Sequence, residues 1–505
     1  MRSRLLMVAV LCASCAEAAV RLPHLFSDGM ILQRDRPVPV WGGAEPGEKV
    51  AVEFAGQHKS AKTGPDGRWS VTLDPMPAGT EPRPLVVAGS IGKQQSRIEN
   101  VLVGDVFLCS GQSNMAMSME ACRRYPGTAD DINAACLPQV RFFQAPNATF
   151  RESPQEDVEA KWEGVCPSNN AHFSAVAFYF ARALHAHLKI PVGILRASHG
   201  GGSAEIKMPK EALLSCETGR KFHEDAMKRA SPEGVAARNR IFQERYETAA
   251  REAKASGARP PEPPKPAVAV DGGYPCGDWN GVIAPVIRYG KRGIVWYQGE
   301  HNAGRAHAYR EILPVLIRSW REASGDANLP FLFVQLPAYA SPDNWPMLRE
   351  SQLVALKVTT NTAMVVAIDH GEKDNIHPAD KKPVGERLAL EARRLIYGEQ
   401  VSGCGPLYAG SGVQGTNLVV RFTNIGAGLQ KPPGGRLDGF VVCGADRRFV
   451  PAEAVIADDT VVIHSPQVAH PVAARYAWAG FPAVSLFGQD GLPASPFRTD
   501  DGSGE

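Results

Sequence analysis

A serine follows a strongly apolar run in the first third of the chain. The run from Val101 to Cys109 ends in the small and polar residues SGQSNM at positions 110–115. In an open α/β sheet the carboxyl ends of the strands form the usual ligand-binding edge, so Ser113 can present its hydroxyl to a cleft. A serine hydroxyl is a weak nucleophile until a base removes its proton. Ser113 is therefore a candidate nucleophile only if the chain also supplies a histidine.

A suitable histidine follows the last apolar run of the predicted sheet. Asp374 and His377 stand three residues apart in one loop, so a carboxylate can lie against imidazole Nδ1 while Nε2 reaches Ser113. A lone histidine in a loop is most often a surface residue without a catalytic role. A serine together with an Asp-x-x-His pair, both at strand carboxyl ends, favours a serine hydrolase. The rival carboxylates Asp105 and Asp369 are predicted to be structural, because Asp105 precedes an apolar run and Asp369 lies eight residues before His377.

Sequence motifs for other chemistries are absent. Met115 occupies the final glycine position of a G-x-S-x-G turn, so the nucleophile turn is not that of the α/β-hydrolase fold. The sequence has no H-E-x-x-H motif, no P-loop and no G-x-G-x-x-G at a strand end. We therefore expect neither a metal ion nor an organic cofactor.

Four sequence blocks, in this order, resemble those of the sialate O-acetylesterase family within the SGNH (GDSL-like) hydrolases. They are SGQSNM at 110–115, HGGG at 199–202, WYQGEHN at 296–302 and DNIHP at 374–378. The resemblance covers nearly the whole chain after residue 18, where we predict a signal peptide to end. It implies an α/β fold in which a flavodoxin-like SGNH hydrolase core, a parallel sheet between helices, is flanked and interrupted by small β domains.

The resemblance also implies a role for each site residue. Ser113 would be the nucleophile, His377 the general base and then acid, and Asp374 its orienting partner. The oxyanion hole would consist of the Ser113 backbone N–H, a backbone N–H of the glycine block, taken as that of Gly201, and the Gln298 side-chain amide, although a tight turn would also require the glycines. Support of the cleft is expected from Gln112, Asn114, Gly200, Glu300 and Asn280. For Glu300 we favour hydrogen bonding over direct catalysis, because Asp374 already fills the carboxylate role.

The chain departs from the family pattern at two places near the expected cleft. Residues 202–207 read GSAEIK where the family continues with threonine and ends near a tryptophan, and His301 replaces a serine. Lys207 and His301 are therefore either contacts for an anionic substrate or solvated rim residues, and we favour the rim. No catalytic group is lost, so these departures concern the identity of the substrate.

The elements that must position these residues follow an alternating pattern. Short apolar runs predict buried parallel strands, and between them lie segments with helical periodicity. Such alternation indicates a doubly wound α/β core. The predicted strands are Val101 to Cys109, Val192 to Arg196, Gly293 to Tyr297, Phe331 to Leu336 and Met364 to Ile368; the predicted helices contain Val176 to Leu188, Tyr309 to Trp320, Leu348 to Val358 and Gly385 to Tyr397.

Other segments flank or interrupt this core. Alternating apolar residues predict an N-terminal β domain at 19–100 and a C-terminal β domain at 401–505, on either side of a core at 101–400. A helical insertion at about 210–270 begins a helix at Ser231-Pro232-Glu233 and ends in a proline-rich spacer. We expect the insertion to pack over the core, with a part in shaping the cleft as the alternative.

Composition bounds the classes of partner. The chain has 505 residues and 55 Lys and Arg against 53 Asp and Glu, a formal charge of +2. It is long enough for about three domains, and so balanced a charge gives no support for nucleic-acid or membrane-surface binding. No apolar run reaches the ~20 residues that a membrane span needs. The oligomeric state stays open.

The start of the chain predicts export. Arg2 and Arg4 precede an apolar run from Leu5 to Cys15, which indicates a signal peptide at 1–18 and a secreted or periplasmic protein. Lipid attachment at Cys15 is the weaker alternative, because Cys12 stands where a small aliphatic residue is expected. In an oxidising compartment the eight later cysteines permit disulfides. The first candidate pair is Cys122 with Cys136 and the second is Cys404 with Cys443.

The leading hypothesis is a secreted serine esterase that removes O-acetyl groups from carbohydrates, most of all O-acetylated sialic acid. Acetylated xylan or pectin (rhamnogalacturonan) is the alternative substrate class. A non-catalytic glycan-binding protein is the alternative from another class, and the intact Ser113, Asp374 and His377 argue against it.

Overall fold

The computed structural model describes residues 20–91, 95–147 and 149–500 of the chain. They form a mixed α/β structure with one 11-stranded sheet, whose centre is mostly parallel, and several small sheets. The predicted signal peptide, Cys15 included, lies outside the described residues. Within the described part, no helix is both long and apolar enough to cross a membrane.

The parallel centre of the large sheet positions the predicted site. Its strand order is β13-β12-β11-β7-β10-β8, all parallel, with β9 antiparallel at one edge. The first thirteen strands are β1 (Ile31–Gln33), β2 (Val38–Gly43), β3 (Lys49–Phe54), β4 (Gln57–Lys62), β5 (Arg68–Leu73), β6 (Gly79–Gly89), β7 (Gln95–Gly111), β8 (Leu137–Gln144), β9 (Trp162–Val165), β10 (Val192–Ser198), β11 (Gly293–Tyr297), β12 (Phe331–Gln335) and β13 (Thr362–Val366).

All five predicted core strands are confirmed, as β7, β10, β11, β12 and β13. Every residue of β10, β11, β12 and β13 is buried, which explains their continuous apolar sequences. The prediction missed β8 and β9. Strand β8 reads LPQVRFFQ and is only partly buried, and β9 has four residues, so neither carries the apolar run of an inner strand.

Ten helices surround or extend the sheet in the described part of the chain. Helix α3 packs on α10 and α8 packs on α9, and these four confirm the predicted core helices. The helices are α1 (Ser113–Ala116), α2 (Thr128–Ala134), α3 (Ala175–Leu188), α4 (Lys210–Leu214), α5 (Glu217–Ala230), α6 (Pro232–Ser256), α7 (Ala284–Ile287), α8 (Tyr309–Ala323), α9 (Trp345–Val358) and α10 (Lys382–Tyr397).

Helices α4 to α6 occupy the position of the predicted insertion. Ser231 accepts a hydrogen bond from the Gly234 N–H and is followed by Pro232, so α6 begins where the sequence indicates. Gly257, with φ 70°, ends this helix of 25 residues, none of which is buried. Helix α6 contacts α5, which in turn contacts α4 and α8 of the core.

The N-terminal strands are joined to the core through one strand. Strand β7 is 17 residues long; its first half pairs with β6 and its second half with β10 and β11. Strand β1 also pairs with β7, in parallel. The predicted domain boundary between residues 100 and 101 therefore falls inside a continuous strand, because the alternating and the apolar halves of β7 belong to one element.

The C-terminal residues form small antiparallel sheets against the core. Gln335 Nε2 donates to Ser495 Oγ (2.9 Å), and the Arg349 guanidinium donates to the carbonyls of Ala479 and Gly480 (both 2.9 Å). The strands are β14 (Leu407–Gln414), β15 (Asn417–Thr423), β16 (Leu429–Gln430), β17 (Phe440–Cys443), β18 (Val450–Pro451), β19 (Glu453–Ala457), β20 (Thr460–His464), β21 (Ala473–Tyr476), β22 (Phe487–Gly488) and β23 (Phe497–Arg498).

The expected disulfides are not formed. All eight cysteines after the leader are free thiols. Cys122 is buried and Cys136 is exposed, with α2 between them, so proximity in sequence does not bring their sulfur atoms together. Both predicted pairs, Cys122 with Cys136 and Cys404 with Cys443, are wrong.

We expect Gly111→Ala to destabilise the centre of the sheet. Gly111 has φ 145°, and a Cβ there would lie 2.0 Å from the Tyr297 carbonyl oxygen. Strand β7 would have to move away from β11, and we expect the free energy of unfolding to fall by about 3 kcal/mol. Gly412→Ala, in β14, is the control because its Cβ would meet nothing within 4 Å. Denaturant titration measures both variants, and equal stability of the two would contradict this account.

Candidate active site

Ser113 is presented by the end of the central strand. Strand β7 ends at Gly111, the Gln112 N–H donates to the Tyr297 carbonyl of β11 (3.0 Å), and Ser113 begins α1. The first N–H groups of a helix have no partner within it, so the Ser113 N–H is available to a ligand. The chain thus turns sharply at the carboxyl edge of the sheet, where the sequence places its nucleophile.

His377 is brought to this serine. Its Nε2 lies 2.8 Å from Ser113 Oγ, although the two residues are 264 positions apart. Its backbone N–H donates to Asn375 Oδ1 (3.0 Å), and its carbonyl accepts from Asn375 Nδ2 (3.0 Å) and Arg124 Nη2 (3.1 Å). Burial and the positive charge of Lys381 lower the pKa of His377, which favours the neutral base. The predicted contact of serine and histidine is therefore present.

Asp374 is not brought to His377 in this structure. Its side chain is exposed, and no hydrogen bond or ion pair joins it to His377 among the described residues. Catalytic hydrogen bonds are often long or absent before substrate binds. The orienting role of Asp374 therefore stays a prediction.

The glycine block runs beside the nucleophile. A Cβ at Gly200 would lie 3.8 Å from Ser113 Cβ, and Gly200 and Gly201 are exposed. Gly201 and Gly202 have φ of 75° and 84°, a conformation that favours glycine. The block therefore exposes backbone next to Ser113, as an oxyanion hole requires.

Gln298 is placed differently from the other predicted oxyanion donor groups. It is fully buried, its Nε2 donates to Asn302 Oδ1 (2.7 Å) and toward the Gly202 carbonyl (3.5 Å), and its Oε1 accepts from the Tyr309 hydroxyl (2.8 Å). Asn302 Oδ1 also accepts from the Ala204 N–H (3.1 Å). In this arrangement Gln298 supports the glycine block from behind, and its predicted donation to an oxyanion is not part of the observed contacts.

Two of the predicted support residues hold backbone segments. Gln112 Oε1 accepts from the His301 N–H (3.2 Å), which ties the nucleophile turn to the loop after β11. Asn280 is buried in a π-helix (Trp279–Ile283), and its Nδ2 donates to the Arg151 carbonyl (3.0 Å). Asn280 therefore fixes the loop after β8. Among the described residues, no hydrogen bond joins its side chain to Ser113.

Asn114 and Glu300 form a buried pair behind Ser113. Asn114 Nδ2 donates to Glu300 Oε1 (2.5 Å) and to the Ile376 carbonyl (3.0 Å), next to His377. Burial raises the pKa of Glu300, against the lowering effect of this hydrogen bond. Glu300 therefore accepts a hydrogen bond from the residue after Ser113, and its predicted supporting role in the reaction stays a prediction.

The two departures from the family pattern have different surroundings. Lys207 is fully buried, and its ammonium contacts the buried Asp278, whose other oxygen lies 2.9 Å from His199 Nδ1. Burial acts to raise the pKa of Asp278, but Lys207 and His199 outweigh it and the pKa is lowered. Neither role expected for Lys207, substrate contact or solvated rim, is correct, because its ammonium is buried against Asp278. Asp278 lies 71 positions further along the chain, and the sequence did not reveal it as the partner. His301 is exposed, in agreement with a rim residue.

Three further residues that the sequence did not single out hold the His377 loop. Glu372 accepts from Arg124 (2.8 and 3.0 Å), from Asn375 Nδ2 (2.9 Å) and from the Ala379 N–H (2.8 Å). Lys381, which is buried, donates to Asn114 Oδ1 (2.6 Å). Glu372 and Lys381 flank the DNIHP block within five residues, which was the one signal available in the sequence. No group of three or more His, Cys, Asp or Glu side chains in the described ranges could hold a metal ion.

Comparison with known proteins gives consistent similarities. The model of the family "Carbohydrate esterase, sialic acid-specific acetylesterase" matches residues 285–394. Sialate O-acetylesterase of Mus musculus is 29% identical over 94% of this chain and 94% of its own length. The proteins of the same name from Rattus norvegicus and Homo sapiens are each 30% identical over 75% of this chain and 74% and 72% of their own. The crystal structure of a carbohydrate acetylesterase from Xanthomonas citri is 33% identical, with a TM-score of 0.80 over 96% of this chain and 100% of that one.

We expect Glu372→Gln to loosen the histidine loop in a pH-dependent way. Burial acts to raise the pKa of Glu372, but the hydrogen bonds from Ala379, Asn375 and Arg124 outweigh it and the pKa is lowered. A carboxyl group with a lowered pKa stabilises the fold above its unfolded pKa of about 4.3, and this stabilisation is lost as the pH falls through the folded value.

The free energy of unfolding of Glu372→Gln should therefore be about 1 kcal/mol below that of the parent at pH 7, since the carboxylate is partly exposed. The gap should narrow below pH about 4. The exposed Glu81 supplies the control Glu81→Gln. A gap of the same size at pH 7 and pH 3, measured by denaturant titration, would show that the charge is irrelevant.

Proposed function

Because this chain belongs to the sialic acid-specific acetylesterase family of carbohydrate esterases, and is thus a carboxylic ester hydrolase, we propose that it removes O-acetyl groups from sialic acids. The observation that carries the proposal is the 2.8 Å contact of His377 Nε2 with Ser113 Oγ at the carboxyl edge of the sheet. Similarity to vertebrate sialate O-acetylesterases and to a bacterial carbohydrate acetylesterase supports an acetylated sugar as the substrate.

The first half of the reaction transfers the acetyl group to the enzyme. Ser113 Oγ attacks the acetyl carbonyl carbon while His377 Nε2 accepts the hydroxyl proton. The tetrahedral intermediate collapses when His377 returns that proton to the sugar oxygen, which leaves as an alcohol. The products of this half are the free sugar hydroxyl and acetyl-Ser113.

The second half releases acetate. Water occupies the place of the departed alcohol, His377 Nε2 accepts its proton, and the oxygen attacks the acetyl carbon. Collapse of this second intermediate returns the proton to Ser113 Oγ. Because the pKa of His377 is lowered, the imidazole is in its neutral, basic form at neutral pH at the start of each half.

The negative charge of each intermediate needs backbone donors beside Ser113. In our proposal the Ser113 N–H and the Gly201 N–H supply them, which the position of Gly200 beside Ser113 supports. A contribution from Gln298 would require its Nε2 to leave Asn302 or Gly202. In the absence of such a movement, Gln298 acts by holding the glycine block in place.

Asp374 completes the proposed triad. Its carboxylate would accept a hydrogen bond from His377 Nδ1–H, hold the tautomer that places the base on Nε2, and stabilise the imidazolium. Asp374 is exposed and lies in the same loop as His377, so in our proposal this contact forms by a movement within that loop.

The proposal also covers the architecture of the core and the compartment in which the protein acts. The parallel centre of the sheet, with Ser113 after its middle strand, supports an SGNH hydrolase core between the two sets of flanking strands. The basic and apolar residues at positions 2–15 support cleavage near Ala18 and action in the periplasm or outside the cell.

The experiment that tests the function is acetate release from an acetylated chromogenic ester by the protein without its leader. We expect Ser113→Ala to lower kcat by about 10⁶, the loss measured where a triad nucleophile has been removed. Ser118→Ala, in the segment after α1, is the matched control and should retain the parental rate within about threefold. An inactive parent, or a Ser113→Ala variant as fast as the parent, would contradict the mechanism.

The same preparation tests the substrate. O-acetylated sialic acids, acetylated xylan and acetylated pectin are compared by kcat/KM, and we expect the sialic acids to be deacetylated fastest. A higher kcat/KM for xylan or pectin would leave the esterase mechanism intact and overturn the substrate assignment.

Asp374→Asn tests the third member of the triad. We expect kcat to fall by about 10⁴, because an amide in place of the carboxylate favours the wrong imidazole tautomer. Stability should stay within about 0.5 kcal/mol of the parent, since Asp374 is exposed. The control is Lys373→Met, which removes an exposed charge from the same loop. Asp380 cannot supply the control, because it is buried against His370. A loss of less than tenfold would assign catalysis to Ser113 and His377 alone.

A further inference from the structure

Lys381 is a buried cation next to the catalytic pair that the proposed reaction does not use. It is 1% exposed, and its Nζ lies 5.4 Å from the centre of the Tyr297 ring. The one hydrogen bond of this Nζ in the described structure goes to Asn114 Oδ1, at 2.6 Å, and no carboxylate of a described residue lies within 4 Å of the ammonium. A lysine is rarely buried without an ion pair, so the position requires a reason.

Lys381 determines the orientation of the Asn114 amide. An ammonium group only donates, so the atom of Asn114 that faces it must be the oxygen. The amide nitrogen then faces Glu300 Oε1 (2.5 Å) and the Ile376 carbonyl (3.0 Å), both of which accept. Rotation of the amide by 180° would place a donor against a donor and an oxygen against two acceptors. The three partners therefore permit a single orientation.

This orientation connects the two catalytic residues through a second route. Asn114 follows Ser113 in the chain, and Ile376 precedes His377. The hydrogen bond from Asn114 Nδ2 to the Ile376 carbonyl thus links the backbones of the two catalytic residues, in parallel with the contact of Nε2 with Oγ. Without the lysine, Asn114 Oδ1 loses its donor, and one of the three contacts that hold the amide is gone.

From these contacts we infer that Lys381 is a positioning residue for the catalytic histidine: through Asn114 it holds the His377 loop against Ser113. The inference rests on the proposed serine esterase mechanism, to which it adds a residue that touches neither substrate nor the reacting atoms.

The charges around His377 indicate that Lys381 has the largest electrostatic effect on it. Arg124, in the segment after α1, donates to the His377 carbonyl (3.1 Å), while Cys122, Glu300, Glu372 and Asp380 are the charged or titratable groups around Lys381 itself. The histidine's own loop contributes Glu372, Lys373 and Asp374. Burial and then Lys381 lower the pKa of His377, and burial lowers that of Lys381 itself to about 8. The lysine is therefore largely charged at pH 7 and less so above pH 8.

The test is the pH profile of kcat/KM for the full chain without its leader, on an acetylated chromogenic ester. In Lys381→Met we expect kcat at least tenfold lower than in the parent, because Asn114 Oδ1 is left buried without its donor and the bridge to the Ile376 carbonyl is weakened. The acid limb, which reports protonation of His377 in the free enzyme, should move up by about half a pH unit or more, because the charge that opposes protonation is gone. Lys381→Arg retains the charge and should keep the acid limb at the parental pH.

Two further variants separate position from charge. Asn114→Ala removes the bridge and keeps the ammonium, so kcat should fall while the acid limb stays near the parental pH. Lys373→Met removes an exposed charge four residues before His377, as Lys381 lies four residues after it, and should change neither quantity. If Lys381→Met does not fold, Lys381→Gln replaces it, and the His377 pKa is also measured by NMR of histidine-labelled protein.

The outcomes distinguish the inference from the function on which it rests. A parent without Ser113-dependent activity overturns the esterase mechanism. An active parent, with folded Lys381 variants whose kcat and acid limb both match it, overturns the role of Lys381 alone. A lower kcat with an unmoved limb and an unchanged His377 pKa overturns the electrostatic part and leaves Lys381 as a support for Asn114.

Discussion

The close approach of β7 and β11 at the carboxyl edge of the sheet is the constraint on which the site depends. At Gly111 the two backbones lie so close that no side chain fits between them, and the Gln112 N–H bonds to the Tyr297 carbonyl. The chain must turn there, and the turn presents Ser113 at the start of a new helix. The loop after β11 begins at the same point, and this alone places Gln298 and Glu300 behind Ser113. The geometry of one strand pair thus positions two of the four sequence blocks, SGQSNM and WYQGEHN, relative to one another.

His377 belongs to the fourth sequence block, DNIHP, and its position is held mainly through hydrogen bonds to the backbone. Asn375, Arg124 and Asn114 bond to the peptide groups on either side of the imidazole, while the recorded side-chain contact is that with Ser113. A loop fixed in this way keeps Nε2 in place, and Asp374 lies exposed in the same loop. This arrangement explains how a base can be preorganised although its proposed carboxylate partner is not yet in contact.

Most of the fold was predictable from the sequence because its central strands are buried on both faces and carry uninterrupted apolar runs. The mixed composition of β8 and the four residues of β9 gave no such signal, and β7 concealed a domain boundary by continuing through it. Ser113 and His377 were predictable because strand ends and loop motifs are local features. Asp278, Lys207 and Lys381 were not, since the reason for burying each of these charges lies in residues distant in sequence. The cysteines failed for the opposite reason: closeness in sequence was taken for closeness in space, and α2 separates the first pair.

The buried charges around the site have a cost that the rest of the fold must offset. Lys381 and Glu300 lie in the interior without a direct ion pair, and Glu300 Oε2 and the Tyr297 hydroxyl have no hydrogen-bond partner in the described structure. Desolvation of such groups is unfavourable, and an apolar core of the same shape would be at least as stable. What the polar groups supply is a single arrangement, because donors that can only donate and acceptors that can only accept leave the Asn114 amide no second orientation. These contacts thereby fix the geometry that the proposed proton transfer from Ser113 to His377 over 2.8 Å requires, and the large apolar core of the protein offsets their unfavourable desolvation.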